Sequence, residues 1–233
     1  MIKLKIGNPQ ETNEKLIALI KNVKINQFYL HNQKDFRDRI LKEIKDKDQV
    51  LDIGKGMREK FNKIQCQHLE TLDVNEYEGY PDIICDLCGD ITQTLSKKYD
   101  KIICLAVLEH VYNPFMAIEN IAKLLKDGGE VYGMVPYLYH YHAPNDLKFQ
   151  DYFRFSKDAL SYLFKDFKEV ELYPIRGKVS TSLNILLEGK WKRYIEKTKI
   201  NILLNKFFNK NLSQCSGYNF ILKKYISFLY ILL

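Results

Sequence analysis

The chain of 233 residues has no second cysteine pair to complete the one C-x-x-C that it contains, Cys85 and Cys88. A structural zinc site needs four such ligands, so no metal is expected from this spacing. The other cysteines, Cys66, Cys104 and Cys215, are scattered, and the total of five is odd. A disulfide framework is thereby excluded, and the thiols are read as reduced and mostly buried, which suits a cytoplasmic protein. A bilayer-spanning run is missing too. The apolar end, YISFLYILL over 225–233, has nine residues, against about 20 for a transmembrane helix. Met1–Lys5 is basic, but no apolar core follows it, so no signal peptide is expected. There is neither an internal repeat nor a low-complexity linker. A chain of this length suits one α/β domain with a substantial core and an added lobe.

Charge is unevenly placed. The net +7 hides a basic end: from Arg176 onward, eleven lysines and arginines face only Glu188 and Glu196. The first 175 residues are therefore slightly acidic. A basic, apolar end of this kind suits peripheral contact with an anionic membrane face. Packing on the domain or on a second copy in a homodimer is the preferred reading. Nucleic acid is a weaker reading, since no recognised binding module accompanies the charge.

What is present begins at residues 50–56, Val-Leu-Asp-Ile-Gly-Lys-Gly: an apolar strand, a carboxylate, then Gly54 and Gly56. Glycines at a strand end let the backbone turn tightly and approach a ligand closely. A dinucleotide pyrophosphate is the usual occupant of such a turn. It fits poorly here, because the third glycine of G-x-G-x-x-G would fall at Glu59, and Asp52 precedes Gly54 by two residues. Two carboxylates repel a pyrophosphate and attract a nucleoside carrying an ammonium and a sulfonium. S-adenosylmethionine (SAM) is such a ligand.

Further strand ends follow in order. Residues 67–73 read as a second strand ending at Asp73, twenty-one positions after Asp52, the spacing at which an acid accepts from ribose hydroxyls. Residues 81–87 end in Asp86 and Leu87, suited to an adenine amino group and ring. Residues 99–105 make a fourth strand, followed by Ala106-Val-Leu-Glu-His-Val111. Val74, Leu105, Ala106 and Glu109 complete the expected cofactor lining. Strands alternating with helices imply a mostly parallel, doubly wound α/β sheet with helices on both faces, whose ligand lies at the carboxyl ends of the strands.

Asn113-Pro114 reads as an N-cap and first turn, with the helix stopped at Gly128-Gly129 and a fifth strand over Glu130–Pro136. Ser156 caps another helix, Phe167–Leu172 is a sixth strand, and Gly217–Lys224 is the last. Apolar spacing predicts helices over 11–21 and about 26–46. The organisation expected is an N-terminal helical cap (1–47), a cofactor-binding core (48–179), a helical insertion (180–216), and a last strand with its apolar tail (217–233).

As a set, VLDIGKG, TLDV, DIICDL, VLEHVYNP, KLLKDGGEVYGMVPY and HAPNDLKFQDYFRFS, over roughly residues 48–166, resemble the class I SAM-dependent methyltransferases of the broad type 11 kind. The resemblance implies a seven-stranded Rossmann-like sheet, SAM as cofactor and S-adenosylhomocysteine as product. The last segment is similar to stretches found in members associated with surface-polysaccharide and other sugar modification. That implies a sugar, nucleotide sugar or glycan precursor as acceptor. Lys55 and Arg58 depart from the small residues usual in the first loop and motivate an alternative: a binding or scaffolding protein that kept the fold without turnover. Methylation of RNA or another macromolecule is a third reading. Asn113-Pro114-Phe115 lacks the second proline of the amino-methylating signature and is set aside.

Methyl transfer to a hydroxyl needs alignment and a group to take the proton, for which a histidine is suited. His110, His140 and His142 lie where the fourth and fifth strands end. If Tyr137–His142 is extended, its tyrosines take one side and its histidines the other. His142 is the first candidate for base or acceptor contact, with hydrogen bonding inside the loop as the other reading. For His110, anchoring of the loop stands beside catalysis. Tyr139, His140, Tyr152 and Arg154 are candidates on the acceptor side. Arg154 suits a phosphate or carboxylate fork, or a salt bridge with Asp151 or Asp146.

Overall fold

A computed structural model describes residues 9–26, 33–54, 64, 66–91, 95–146, 148–187 and 214–226. An eight-stranded sheet forms from β1 (Lys24–Ile25), β2 (Gln49–Ile53), β3 (His68–Asp73), β4 (Ile83–Ile84), β5 (Tyr99–Leu105), β6 (Leu125–Pro136), β7 (Glu169–Ile175) and β8 (Gly217–Lys223). The strand order is β1-β7-β8-β6-β5-β2-β3-β4. Every pairing is parallel except those of β8, which runs antiparallel to both β6 and β7. The doubly wound, mostly parallel architecture read from the sequence is the one observed, with one strand more.

That extra strand, β1, lies between the two N-terminal helices α1 (Pro9–Asn22) and α2 (Gln33–Glu43). Lys24 and Ile25 pair with Glu171 and Leu172, and the Asn26 amide donates to Leu172 O at 2.8 Å. An edge strand leaves backbone groups open, and two extended residues suffice to cover part of that edge of β7.

The central strands are buried on both faces, and alternation divides their side chains. From β5, Ile102 and Cys104 join the larger core with Leu51 and the residues Ala117, Ile118, Ile121 and Leu124 of α3 (Pro114–Leu124). Ile103 and Leu105 point the other way, into a cluster with Phe36 and Ile40 of α2 and Tyr132 and Tyr173. Each such fully buried aliphatic side chain contributes about 1.5–3 kcal/mol from burial.

Local chemistry sets the helix ends. The Asn113 carboxamide accepts from the Met116 amide at 3.2 Å, with Pro114 in the first turn. Ser156 Oγ accepts from the Ala159 amide at 3.3 Å, opening α4 (Lys157–Leu163). The helix before β6 ends earlier than the glycines suggest. The chain enters the sheet at Leu125, which pairs with Tyr99, and bulges until Glu130 pairs with Lys101. The loop between the two pairings contains Gly128, at φ +73°. The last helix described, α5 (Lys178–Leu186), opens the stretch read as an insertion; residues 188–213 lie outside the described residues, as do 227–233 of the tail.

Two predictions follow from the packing. A Cβ at Gly133 would fall 1.9 Å from Cζ of its cross-strand partner Phe220. Gly133→Ala should therefore cost about 1–3 kcal/mol in denaturant unfolding; an unchanged midpoint would contradict the packing. At Glu130, burial opposes the charged form, but Lys101 Nζ at 2.5 Å and the Tyr132 hydroxyl at 2.6 Å outweigh it and hold the carboxyl below its ordinary range. Because the folded value is lowered, this stabilisation is complete above the unfolded value of about 4.3 and lost as pH falls through the folded one. Glu130→Gln should remove about 1 kcal/mol near neutrality and little at the acid end, read from unfolding curves across pH.

Candidate functional site

Strands β2 to β6 run parallel, so Gly54, Asp73, Cys85, Ala106 and Tyr137 all lie at or just past strand ends on one edge of the sheet. The chain goes from β2 outward to β3 and β4, then returns to β5 on the other side of β2. The gap between β2 and β5 is thus a topological switch point, where open α/β sheets bind ligands. Gly54 sits at its floor with φ +91°, a left-handed conformation that glycine adopts freely. A Cβ there would come 2.6 Å from Val107 Cγ2. Across the gap, Ala106 is held at φ 56° with its amide donating to Met134 O at 2.9 Å. Non-glycine residues in this region cluster at ligand sites.

The strand-end acids divide into two groups. Asp73 and Asp86 lie at the rim. The Asp73 carboxylate accepts from the Asn75 amide at 3.0 Å, and the Tyr80 hydroxyl lies 3.4 Å from it. Asp86 accepts from the Cys88 amide at 2.8 Å and the Tyr112 hydroxyl at 2.9 Å. Asp52 lies within β2 and is buried, as are Leu87 and Leu105 in the two core clusters. Val74 is exposed. Gly56, together with Lys55 and Arg58, lies outside the described residues. A floor with no room for a side chain and acceptor carboxylates at two neighbouring strand ends suit a ligand that approaches the backbone closely and offers donors, as an adenosyl group does.

On the other side of the switch point, Glu109, His110 and His142 come together. Glu109 is only 1 % exposed. Burial pushes its carboxyl up to about 8, and the nearby Asp151 adds to the effect. Its Oε1 lies 3.8 Å from His110 Nε2 and 3.9 Å from His142 Nε2. Burial pulls the His110 imidazole down, against the Gln150 carbonyl 2.6 Å from Nδ1. His142 Nδ1 faces Asp151 Oδ2 at 3.1 Å. The two rings meet edge to face with centroids 4.9 Å apart.

The loop bearing His142 is held from within. The Glu109 carbonyl accepts from the amides of Tyr152 and Phe153, at 2.8 and 3.2 Å. The Asp151 side chain is fully buried. Burial works against its charge, yet the Arg154 fork and the His142 amide hold its carboxyl at about 2. Arg154 spends all five of its donors: Nη1 on Asp151 Oδ1 and Phe153 O, Nη2 on Asp151 Oδ2 and His140 O, and Nε on Tyr139 O. Of the two sequence readings of Arg154, the salt bridge with Asp151 is the arrangement present. Residues 137–142 are not a continued strand, so the expected division of tyrosines from histidines does not arise. Tyr139 stacks on His140 with centroids 4.2 Å apart and meets His142 edge-on at 5.6 Å. Tyr152 is half exposed, and its hydroxyl donates to Gln150 Oε1 at 3.1 Å.

Three participants were not singled out as site residues from the sequence: Tyr112, which holds Asp86; Gln150, whose carbonyl orients His110; and Phe149, whose ring lies 4.5 Å from that of His110. Each acts through a fold contact with no fixed spacing in the sequence, although Tyr112 follows His110 by only two positions. Arg154→Ala would leave Asp151 buried without its cation, and should destabilise the protein by about 3–5 kcal/mol in denaturant unfolding. Arg154→Lys should recover only part of this, because an ammonium cannot reproduce the fork; full recovery would contradict the role given to the five donors.

Among the described residues no helix is long and apolar enough to cross a membrane. A family model described as a methyltransferase domain matches residues 25–167, more than half of the chain. No curated protein matches it in sequence. Solved structures share the fold at low identity. A SAM-dependent methyltransferase from Archaeoglobus fulgidus is 17% identical with a TM-score of 0.53, over 82% of this chain and 92% of that one. Phosphoethanolamine N-methyltransferase 2 of Haemonchus contortus, solved with phosphomonomethylethanolamine and S-adenosylhomocysteine, is 15% identical with a TM-score of 0.51, over 93% and 58%. The [4+2]-cyclase SpnF is 12% identical with a TM-score of 0.50, over 92% and 94%. Family match, strand order and switch-point site agree: this chain belongs to the class I SAM-dependent methyltransferase family.

Proposed function

We propose that this chain transfers the methyl group of SAM to a hydroxyl of a small acceptor, a sugar, nucleotide sugar or glycan precursor. The observation that carries the reading is the placement of two imidazole Nε2 atoms beside buried Glu109, across the switch point from the acids of β3 and β4. Asp73 and Asp86 are the residues for the ribose hydroxyls and the adenine amino group. Gly54, Val74, Leu87, Leu105 and Ala106 shape the crevice, and Asp52 contributes negative charge from below. SAM supplies an electrophilic methyl on a sulfonium whose departing thioether is neutral, so the protein's work is chiefly alignment.

The acceptor side belongs to His142, with His110 beside it. His142 Nδ1 lies against Asp151 Oδ2 and His140 O, and Nε2 lies on the side of Glu109. That nitrogen is placed to ease the proton from an acceptor hydroxyl. Tyr141 and Tyr152 of the same loop, 67% and 50% exposed, offer flat apolar faces of the kind on which sugar rings stack. Among the described residues Arg154 has no donor left over, so a phosphate on the acceptor would have to find another partner.

Incubation with methyl-labelled SAM and a panel of sugars and nucleotide sugars tests the proposal. Label should appear as an alkali-stable ether. Label on nitrogen, or on RNA or protein alone, would overturn the acceptor assignment. His142→Ala should lower turnover about 10²–10⁴-fold while S-adenosylhomocysteine binding stays within a few-fold; undiminished turnover would remove His142 from this role.

A further inference from the structure

We propose that Glu109, His110 and His142 bind a divalent first-row transition cation at the acceptor side of the crevice. One ligand atom from each of the three lies within 4.8 Å of the others. At 3.8 and 3.9 Å, the separations from Glu109 Oε1 to the two Nε2 atoms are too long for hydrogen bonds. Four-coordinate ligands on bonds of about 2.1 Å lie about 3.4 Å apart, so each of these pairs would close by roughly half an ångström around an ion. Two imidazoles and one carboxylate, with positions left open, form a donor set that suits zinc, iron, cobalt or manganese.

Two further features belong to a metal site more than to a structural cluster. Both rings have Nδ1 against acceptors. His110 Nδ1 donates to Gln150 O at 2.6 Å, and His142 Nδ1 faces Asp151 Oδ2 at 3.1 Å and His140 O at 3.3 Å. The Arg154 Nη2 that lies 3.4 Å from His142 Nδ1 already donates to two closer oxygens. The tautomers assigned from these partners carry the proton on Nδ1 and turn both Nε2 lone pairs toward Glu109. Outer partners of this type orient metal-bound histidines. In addition, Glu109 Oε2 is buried and has no hydrogen-bond partner among the described residues. Such an oxygen is costly unless something pairs with it, and the nearby guanidinium of Arg154 is committed to Asp151.

The inference deepens the proposed function and rests on it only for the role of the site. An acceptor hydroxyl on an open position of the ion would lose its proton more readily, to solvent water, and His142, with Nε2 on the ion, would then be a ligand and not the base. Binding itself is tested without turnover. The full chain, stripped with a chelator, is titrated with Co²⁺ and followed by its visible absorption, with S-adenosylhomocysteine binding measured on the same sample. One equivalent of Co²⁺ should bind with bands of nitrogen and oxygen coordination. Its affinity should fall more than about 10-fold in Glu109→Gln and in His142→Ala, and hold in His68→Ala, a histidine at the opposite end of β3. Absence of stoichiometric binding in the unaltered chain, or equal binding in Glu109→Gln, would overturn the cation site. S-adenosylhomocysteine binding in either of those cases would leave the methyltransferase reading standing.

Discussion

The buried ion pair between Asp151 and Arg154 is the contact on which the acceptor side of the site depends. It joins two residues three positions apart, yet its reach is wider, because the guanidinium also takes the carbonyls of Tyr139, His140 and Phe153. One side chain thus closes the loop that follows β6 on itself. Asp151 passes the constraint to His142 through the backbone amide. The Glu109 carbonyl, tied to Tyr152 and Phe153, brings the segment after β5 into the same unit. A buried pair of this kind returns little net stability once desolvation is counted. Its contribution here is geometric: it sets two imidazole rings against one buried carboxylate.

The cofactor side is organised by a different constraint, close backbone approach. Where β2 and β5 part, Gly54 touches the Val107 side chain with no space for a Cβ, and Ala106 takes a left-handed backbone. The rim acids meanwhile are held by their own loops, Asp73 by Asn75 and Asp86 by Cys88 and Tyr112. They are oriented before any ligand arrives. This preorganisation reduces the ordering that binding must otherwise supply.

Much of this was legible in the sequence wherever local chemistry and periodicity agreed. The strand over 99–105, the Asn113 and Ser156 caps, and the acid-ended strands are each written in consecutive residues. The order of those acids along the chain was enough to place them on one edge, because parallel strands can end nowhere else. What escaped was decided by contacts between distant segments. Two residues at 24–25 became a strand only because the edge of β7 was open to them. Tyr137–His142 lost the expected alternation because Arg154, farther along the chain, draws in its carbonyls and stacks Tyr139 on His140. The meeting of Glu109, His110 and His142 likewise has no spacing signature, since two of its members are adjacent and the third lies beyond a whole strand. The one C-x-x-C, Cys85 and Cys88, takes no part in that cluster.

The family, the strand order and the residues at the switch point converge on one central claim, that this crevice holds SAM. The most direct measurement is calorimetric titration of the full chain with SAM and, separately, with S-adenosylhomocysteine. Saturable binding of both, one molecule per chain, weakened when Asp73 is replaced by Asn, is the predicted result. Heat of dilution alone for both ligands would contradict the account.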